Sequence, residues 1–247
     1  VSGAGYRRLL SDAAEANMNM MRVWGGGIYE PDLFYDLCDE KGVLVWQDFM
    51  FACSRYPGDE DFVENVRDEA VSQVERLEGR ACLALWCGNN EIEMRIDELT
   101  ADPSRTSDYH RLFSELLPSI VKEIDPQTDY WPCSPHNPAG FEKGMNSPDG
   151  GDAHYWGVWH RGLPVSSYRE TRFRFCSEFG MQSFHSIYAA RKFSGQKNPD
   201  PFSPVMENHQ KNPAGNRIIL DYLSRRYRYP YDYESLAYLS QIHKAYA

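Results

Sequence analysis

Three apolar runs in this sequence stop on groups able to move protons or hold hydroxyls: Trp46-Gln47-Asp48, Gly88-Asn89-Asn90-Glu91 and Ser177-Glu178-Phe179-Gly180. An acid at the end of such a run sits at the rim of a pocket walled by hydrophobic and aromatic groups, and that wall shifts its protonation. Two carboxylates facing one cleft are the minimum machinery for hydrolysing a glycosidic bond. One is protonated and donates to the leaving oxygen, while the other is ionised and attacks the anomeric carbon or activates water. Taken singly, each acid is equally well read as a rim carboxylate held by Arg or Lys. The tryptophans at 24, 46, 86, 131, 156 and 159 fall on or beside the same kind of run. Trp46 and Trp86 precede the ends of their runs and suit the core, whereas Trp24, Trp131 and Trp156 are placed to line a pocket.

Other chemistries lack their patterns. His154 and His160 are too separated for one strand face and no HExxH occurs, so neither a metal nor a cofactor is expected. Gly25-Gly26-Gly27 lacks the Lys-Ser/Thr pair that grips a phosphate and reads as a tight turn at a strand end. The cysteines at 38, 53, 82, 87, 133 and 176 show no CxxC spacing, and Cys82 and Cys87 share one apolar run. Free, mostly buried thiols are expected.

Of the 247 residues, 42% are hydrophobic and 25% charged, which excludes a disordered or low-complexity chain. Lys and Arg number 26 against 36 Asp and Glu, a net charge of −10 with no basic cluster, so nucleic acid is not an expected partner. The longest apolar stretch, about seven residues from Ala81 to Cys87, falls far short of the roughly 20 that cross a bilayer, and no membrane span is expected. Val1-Ser2-Gly3-Ala4-Gly5 carries neither an initiator Met nor a signal-peptide pattern and reads as a chain already under way.

The elements that must position these groups alternate between helical periodicity and short apolar runs, the mark of βαβ units and a parallel sheet. Strands are expected at 20–24, 43–49, 81–88, 130–133, 153–159 and 173–179. Helices are expected at 6–18, from Pro31 to a stop at Gly42, after an Asp59 cap, through 112–124, and near 187–193, 218–227 and 235–246. Segments 134–152 and 195–216 read as long loops. This order fits either a barrel or a doubly wound sheet, and tryptophans near the carboxyl ends of strands favour the barrel.

The blocks Met21-Arg22-Val23-Trp24-Gly25-Gly26-Gly27-Ile28-Tyr29-Glu30, Phe34 to Glu40, Val43-Leu44-Val45-Trp46-Gln47-Asp48-Phe49 and Leu85-Trp86-Cys87-Gly88-Asn89-Asn90-Glu91 closely resemble β-mannosidases of glycoside hydrolase family 2. His154 to His160, Phe175 to Ser183 and His209-Gln210-Lys211-Asn212 continue the resemblance in order over nearly the whole chain. It implies an α/β fold of the (β/α)8 TIM-barrel type. The implied activity is retaining hydrolysis of terminal β-D-mannosyl residues from an oligosaccharide or glycoconjugate, without a cofactor. The acid/base maps onto Glu91 and the nucleophile onto Glu178, with their carboxyl groups about 5 Å apart. Asn90 would hydrogen-bond the sugar 2-hydroxyl or, alternatively, cap the following helix. Asp48 and Trp24 look like subsite residues, an acceptor for hydroxyls and a platform for the ring, with Trp131, Tyr155 and Trp156 as further substrate-binding candidates. Arg22 and Arg174 would restrain the carboxylates or belong to interior salt bridges.

Related retaining enzymes that cleave β-galactosides, β-glucuronides or β-glucosaminides form one alternative, and a non-catalytic carbohydrate-binding or structural barrel forms another. Against the family pattern the chain reads as one catalytic barrel domain, 1–247, with about six of eight strands. The first and last strands and the flanking β-sandwich domains are not found in it. That reading implies weak or no activity of the isolated chain, and open sheet edges that favour self-association.

Overall fold

The computed structural model describes residues 1–95, 98, 100–140 and 144–247; residues 141–143 of the expected loop at 134–152 lie outside the described residues. The chain forms two compact units, 1–153 and 154–247. Among the described residues no helix is long and apolar enough to cross a membrane.

In the first unit, helix α1 (Gly3–Glu15) precedes strand β1 (Met20–Val23), α2 (Asp32–Lys41) precedes β2 (Leu44–Asp48), and α3 (Glu60–Leu77) precedes β3 (Leu83–Cys87). The local signals work as expected. Asp59 accepts a hydrogen bond from the Phe62 N–H at 3.1 Å and starts α3, and Gly42, at φ 66°, ends α2 in the left-handed conformation that glycine tolerates. The helix expected through 112–124 begins earlier, as α4 (Pro103–Tyr109), and widens over His110–Leu116 before α5 (Leu117–Ile124). Pro118 accounts for the widening, since a proline lacks an N–H and its ring clashes with the carbonyl one turn back.

Strand β4 (Asp129–Trp131) completes a four-stranded sheet in the order β1-β2-β3-β4, parallel throughout. Each strand lies beside the next in sequence, without the reversal that marks a doubly wound sheet. The registers Val23↔Gln47, Asp48↔Cys87 and Cys87↔Trp131 bring all four carboxyl ends to one edge. Helices α2, α3 and α5 bury Tyr35, Val74, Leu77 and Leu117 in the same core as Val45 and Trp86. Trp46 is also buried, as expected of the two tryptophans that precede strand ends, whereas Trp24 is 46% exposed.

Strand β5 (Ala153–Tyr155), in the second unit from its second residue on, pairs with β6 (Cys176–Phe179), and α6 (Ser167–Glu170), α7 (Ile187–Ser194), α8 (Pro204–His209), α9 (Gly215–Ser224) and α10 (Tyr233–Tyr246) follow or intervene. Six strands are thus present, in two sheets, and no closed barrel forms among the described residues. Strand β5 stops at Tyr155, short of the expected 159, because the chain turns there: His160 N–H donates to Trp156 O and Gly162 N–H to Val158 O. Helix α8 lies inside the expected loop at 195–216. Its Pro204 stands in the first turn, the one helical place where a missing N–H costs nothing.

His243 on α10 is 3% exposed, among the rings of Tyr222, Tyr227 and Tyr246, and neither of its nitrogens has a hydrogen-bond partner among the described residues. Burial, aided by the nearby Arg226 charge, pushes its pKa below the ordinary histidine value. The unfolded chain therefore binds the proton more readily. This contribution to stability is intact above the unfolded pKa of about 6.5 and is lost as pH falls below it toward the folded value. Urea midpoints taken between about pH 7 and about pH 5 should fall less steeply for His243→Leu than for the parent; equal slopes would count against this account.

Candidate active site

Asp48 closes β2 and is fully buried. Burial drives its pKa up, and the surroundings oppose that with donors: Arg22 Nε and Nη2 at 3.2 and 2.8 Å, Trp46 Nε1–H at 2.8 Å and the Gly25 N–H at 3.0 Å. The Arg22 guanidinium also lies over the Trp46 ring, 5.4 Å from its centroid. Gly25 earns its place by close approach, because a Cβ there would come within 2.4 Å of Phe51 O and 2.7 Å of Phe49 O. The Gly25-Gly26-Gly27 turn therefore brings a backbone N–H onto a buried carboxylate. Of the two readings open for Asp48, the geometry is that of an acid held by arginine.

The same guanidinium reaches the third strand, where Arg22 Nη2 donates to Asn90 Oδ1 at 2.8 Å. Asn90 is 1% exposed and extends the ladder past the end of β3, bridging Ala52 on one side and Ser134 on the other. Its N–H donates to Phe51 O, its carbonyl accepts from the Cys53 N–H, and the Glu91 N–H donates to Ser134 O. Glu91 follows at φ 60°, a left-handed conformation that costs a residue with a Cβ on the order of 1 kcal/mol and persists only where neighbours fix it. Asn90 is therefore a strand-end bridge, and the capping interaction belongs to Asn89, whose Oδ1 accepts from the Ile92 N–H at 3.3 Å.

Trp131 ends β4 with its Nε1–H donated to Asp152 Oδ1 at 3.0 Å; Asp152 also accepts from Ser134 Oγ and the His136 N–H. Beside it the fully buried Glu93 accepts from Tyr109 and faces His136 Nδ1 at 2.8 Å. Sequence reasoning singled out none of Cys53, Glu93, His136 and Asp152. They stand in loops or short turns without periodicity, and their roles come from partners as far as 43 residues away.

In the second unit Glu178 lies on β6 and His154 on β5, with His154 Nδ1 3.2 Å from Glu178 Oε2. The pleat turns the next residue, Tyr155, to the opposite face of β5, where its ring meets Tyr168 and Phe173. Trp156 packs edge-on against His160, and Arg174 is exposed.

The buried ion pair gives a direct test. Arg22→Met leaves Asp48 charged and unpaired, which should cost about 3–5 kcal/mol by urea unfolding near neutral pH. The deficit should shrink as pH falls, because burial raises the Asp48 pKa and a protonated Asp48 no longer needs the arginine; a deficit independent of pH would refute the assignment.

No protein-family model matches the chain. Beta-mannosidase B of Neosartorya fischeri is 36% identical over 259 aligned positions, which cover 99% of this chain and 30% of that protein. Beta-mannosidase B of Aspergillus clavatus is 37% identical with the same coverage. A crystal structure of β-D-mannosidase from Dictyoglomus thermophilum superposes with a TM-score of 0.87 at 37% identity, over 100% of this chain and 30% of that one. The β-glucuronidase 2 of Bacteroides uniformis, with a TM-score of 0.53 and 16% identity over 84% of this chain and 27% of that one, shares the fold alone. The chain spans about 30% of the length of the curated relatives it matches. Sequence and backbone agree over the whole of that span, so along its full length the chain is similar to a stretch of about 30% of these β-mannosidases.

Proposed function

We propose that the protein carrying this chain removes terminal β-D-mannosyl residues by double displacement with retention, and that both units belong to one catalytic domain of the (β/α)8 type. The observation that carries the reading is Asn90-Glu91, locked past the end of a parallel strand by ladder bonds on both sides and by the Arg22–Asp48 pair beneath. The unreversed strand order and the names of the relatives support it.

In this reading Glu178 attacks the anomeric carbon as its bond to the leaving oxygen breaks, and Glu91 gives that oxygen its proton. A glycosyl ester on Glu178 results. Glu91, now ionised, takes a proton from water, which attacks the same carbon and frees Glu178. The scheme calls for the two carboxyl groups to stand about 5 Å apart. His154, buried behind Glu178, holds the nucleophile's orientation. Asn90 has Oδ1 engaged by Arg22 and one Nδ2–H given to Cys53 Sγ, so its second amide N–H is the one offered to the sugar 2-hydroxyl. Trp24 supplies an exposed indole for the C–H face of the ring, Trp131 and Trp156 add aromatic wall, and Tyr155 is a further contact. Asp48 serves the substrate through Arg22 and the Gly25 turn.

Glu178→Gln should lower kcat/KM on aryl β-mannosides by about a thousandfold or more. Glu91→Ala should lose most on substrates with poor leaving groups and regain turnover with azide. Proton NMR of the first product should show the β-anomer. An α-anomer appearing first would overturn retention, and a preference for β-galactosides or β-glucuronides in an aryl glycoside panel would overturn the sugar.

A further inference from the structure

The side chains at the end of β3 form a directed chain of hydrogen bonds that the scheme above does not use. Asp48 fixes Arg22, and Arg22 Nη2 donates to Asn90 Oδ1. That sets the amide's orientation, so Asn90 Nδ2 donates to Cys53 Sγ at 3.4 Å. The sulfur, having accepted, turns its own proton toward Glu91 Oε2, 3.6 Å away, a length suited to the larger sulfur atom. The backbone holds both ends of this last link. Cys53 and Glu91 each adopt a left-handed φ, 51° and 60°, and the Cys53 carbonyl accepts from Arg95 Nη1 at 3.1 Å while its N–H donates to Asn90 O at 2.9 Å. A donor whose sulfur is itself hydrogen-bonded is polarised toward stronger donation.

We propose that Cys53 is a positioning residue for the Glu91 carboxylate, its thiol donating to Oε2 so that the proton bound for the leaving oxygen is carried on Oε1. The proposal rests on Glu91 being the acid/base. In the first step the Oε1–H bond breaks as the proton passes to the leaving oxygen, and the negative charge left on the carboxylate is shared with Oε2, where the S–H bond strengthens. The thiol therefore stabilises the ionised form of Glu91 and steers its rotamer without entering the covalent chemistry.

Two measurements test this in the protein that carries the chain. The first compares Cys53→Ala and Cys53→Ser on a dinitrophenyl β-mannoside, which needs little acid assistance, and on a methoxyphenyl β-mannoside, which needs much. Cys53→Ala should lose about tenfold in kcat/KM on the poor leaving group and about twofold or less on the good one. Its alkaline limb should move to higher pH, because the ionised carboxylate has lost a donor. Cys53→Ser retains a donor and should keep the limb near the parent position. Equal losses on both substrates with an unmoved limb would make Cys53 merely structural and overturn the proposal.

The second measurement needs no turnover. Cys53 is the exposed cysteine, the other five being buried or half-buried, so iodoacetamide labelling read by peptide mass spectrometry reports on it selectively. Glu91→Gln removes the negative charge facing the thiolate and should speed labelling of Cys53 by about tenfold at neutral pH. An unchanged rate overturns the contact even if Cys53→Ala fails to fold. Absence of any β-glycoside hydrolysis by the parent would instead overturn the proposed function while leaving the labelling result decisive for the contact.

Discussion

A buried carboxylate has to be paired, and in the first unit that constraint organises everything above the sheet. Asp48 sits at the end of β2 with no solvent to share its charge, so Arg22 from β1 must reach across to it. Once there, the guanidinium has donors left over and spends one on Asn90 beyond β3. The Gly25 turn closes on the same carboxylate from above, and Trp46 stacks beneath the arginine and donates to the acid. Three strand ends and a glycine turn are thereby tied through one pair of charges. Apolar replacement would serve stability as well, but it would leave nothing to fix the amide of Asn90.

The sheet has its own share in that result. Parallel strands in register place their carboxyl ends level, and the ladder does not stop where the strands do: Ala52, Asn90 and Ser134 continue it by single bridges. Residues that would otherwise belong to flexible loops inherit the rigidity of the core. Function placed one or two residues past a strand end gains precise aim at little entropic cost.

Much of this was legible in the sequence, for local reasons. Asp59 before an apolar period of three to four, Gly42 after another, and Val-rich runs between them specify helix, stop and strand through backbone preferences that act over a few residues. Acids at the ends of the apolar runs marked the rim. What the sequence withheld depends on distant partners. Asp48 reads identically whether it faces a sugar or an arginine, and only the parallel register of β1 on β2 decides. Asp152, between glycines and a short strand, gathers donors from 131, 134 and 136 that no spacing rule connects. Pro204 was a breaker by composition and a first-turn residue in fact, because a proline's meaning depends on whether a helix begins or continues at it.

The left-handed backbone at Glu91 has an evolutionary consequence. Glycine or asparagine would relieve the strain there, so mutation at this position carries an incentive toward greater stability that grows as the rest of the domain weakens. A lineage in which nothing else holds Glu91 would drift at codon 91 early, while the Arg22–Asp48 pair beneath, whose loss costs stability, stayed put. Relatives that keep the pair and have lost the glutamate would then hold a domain folded by the old constraint and relaxed at a residue that had been held under tension.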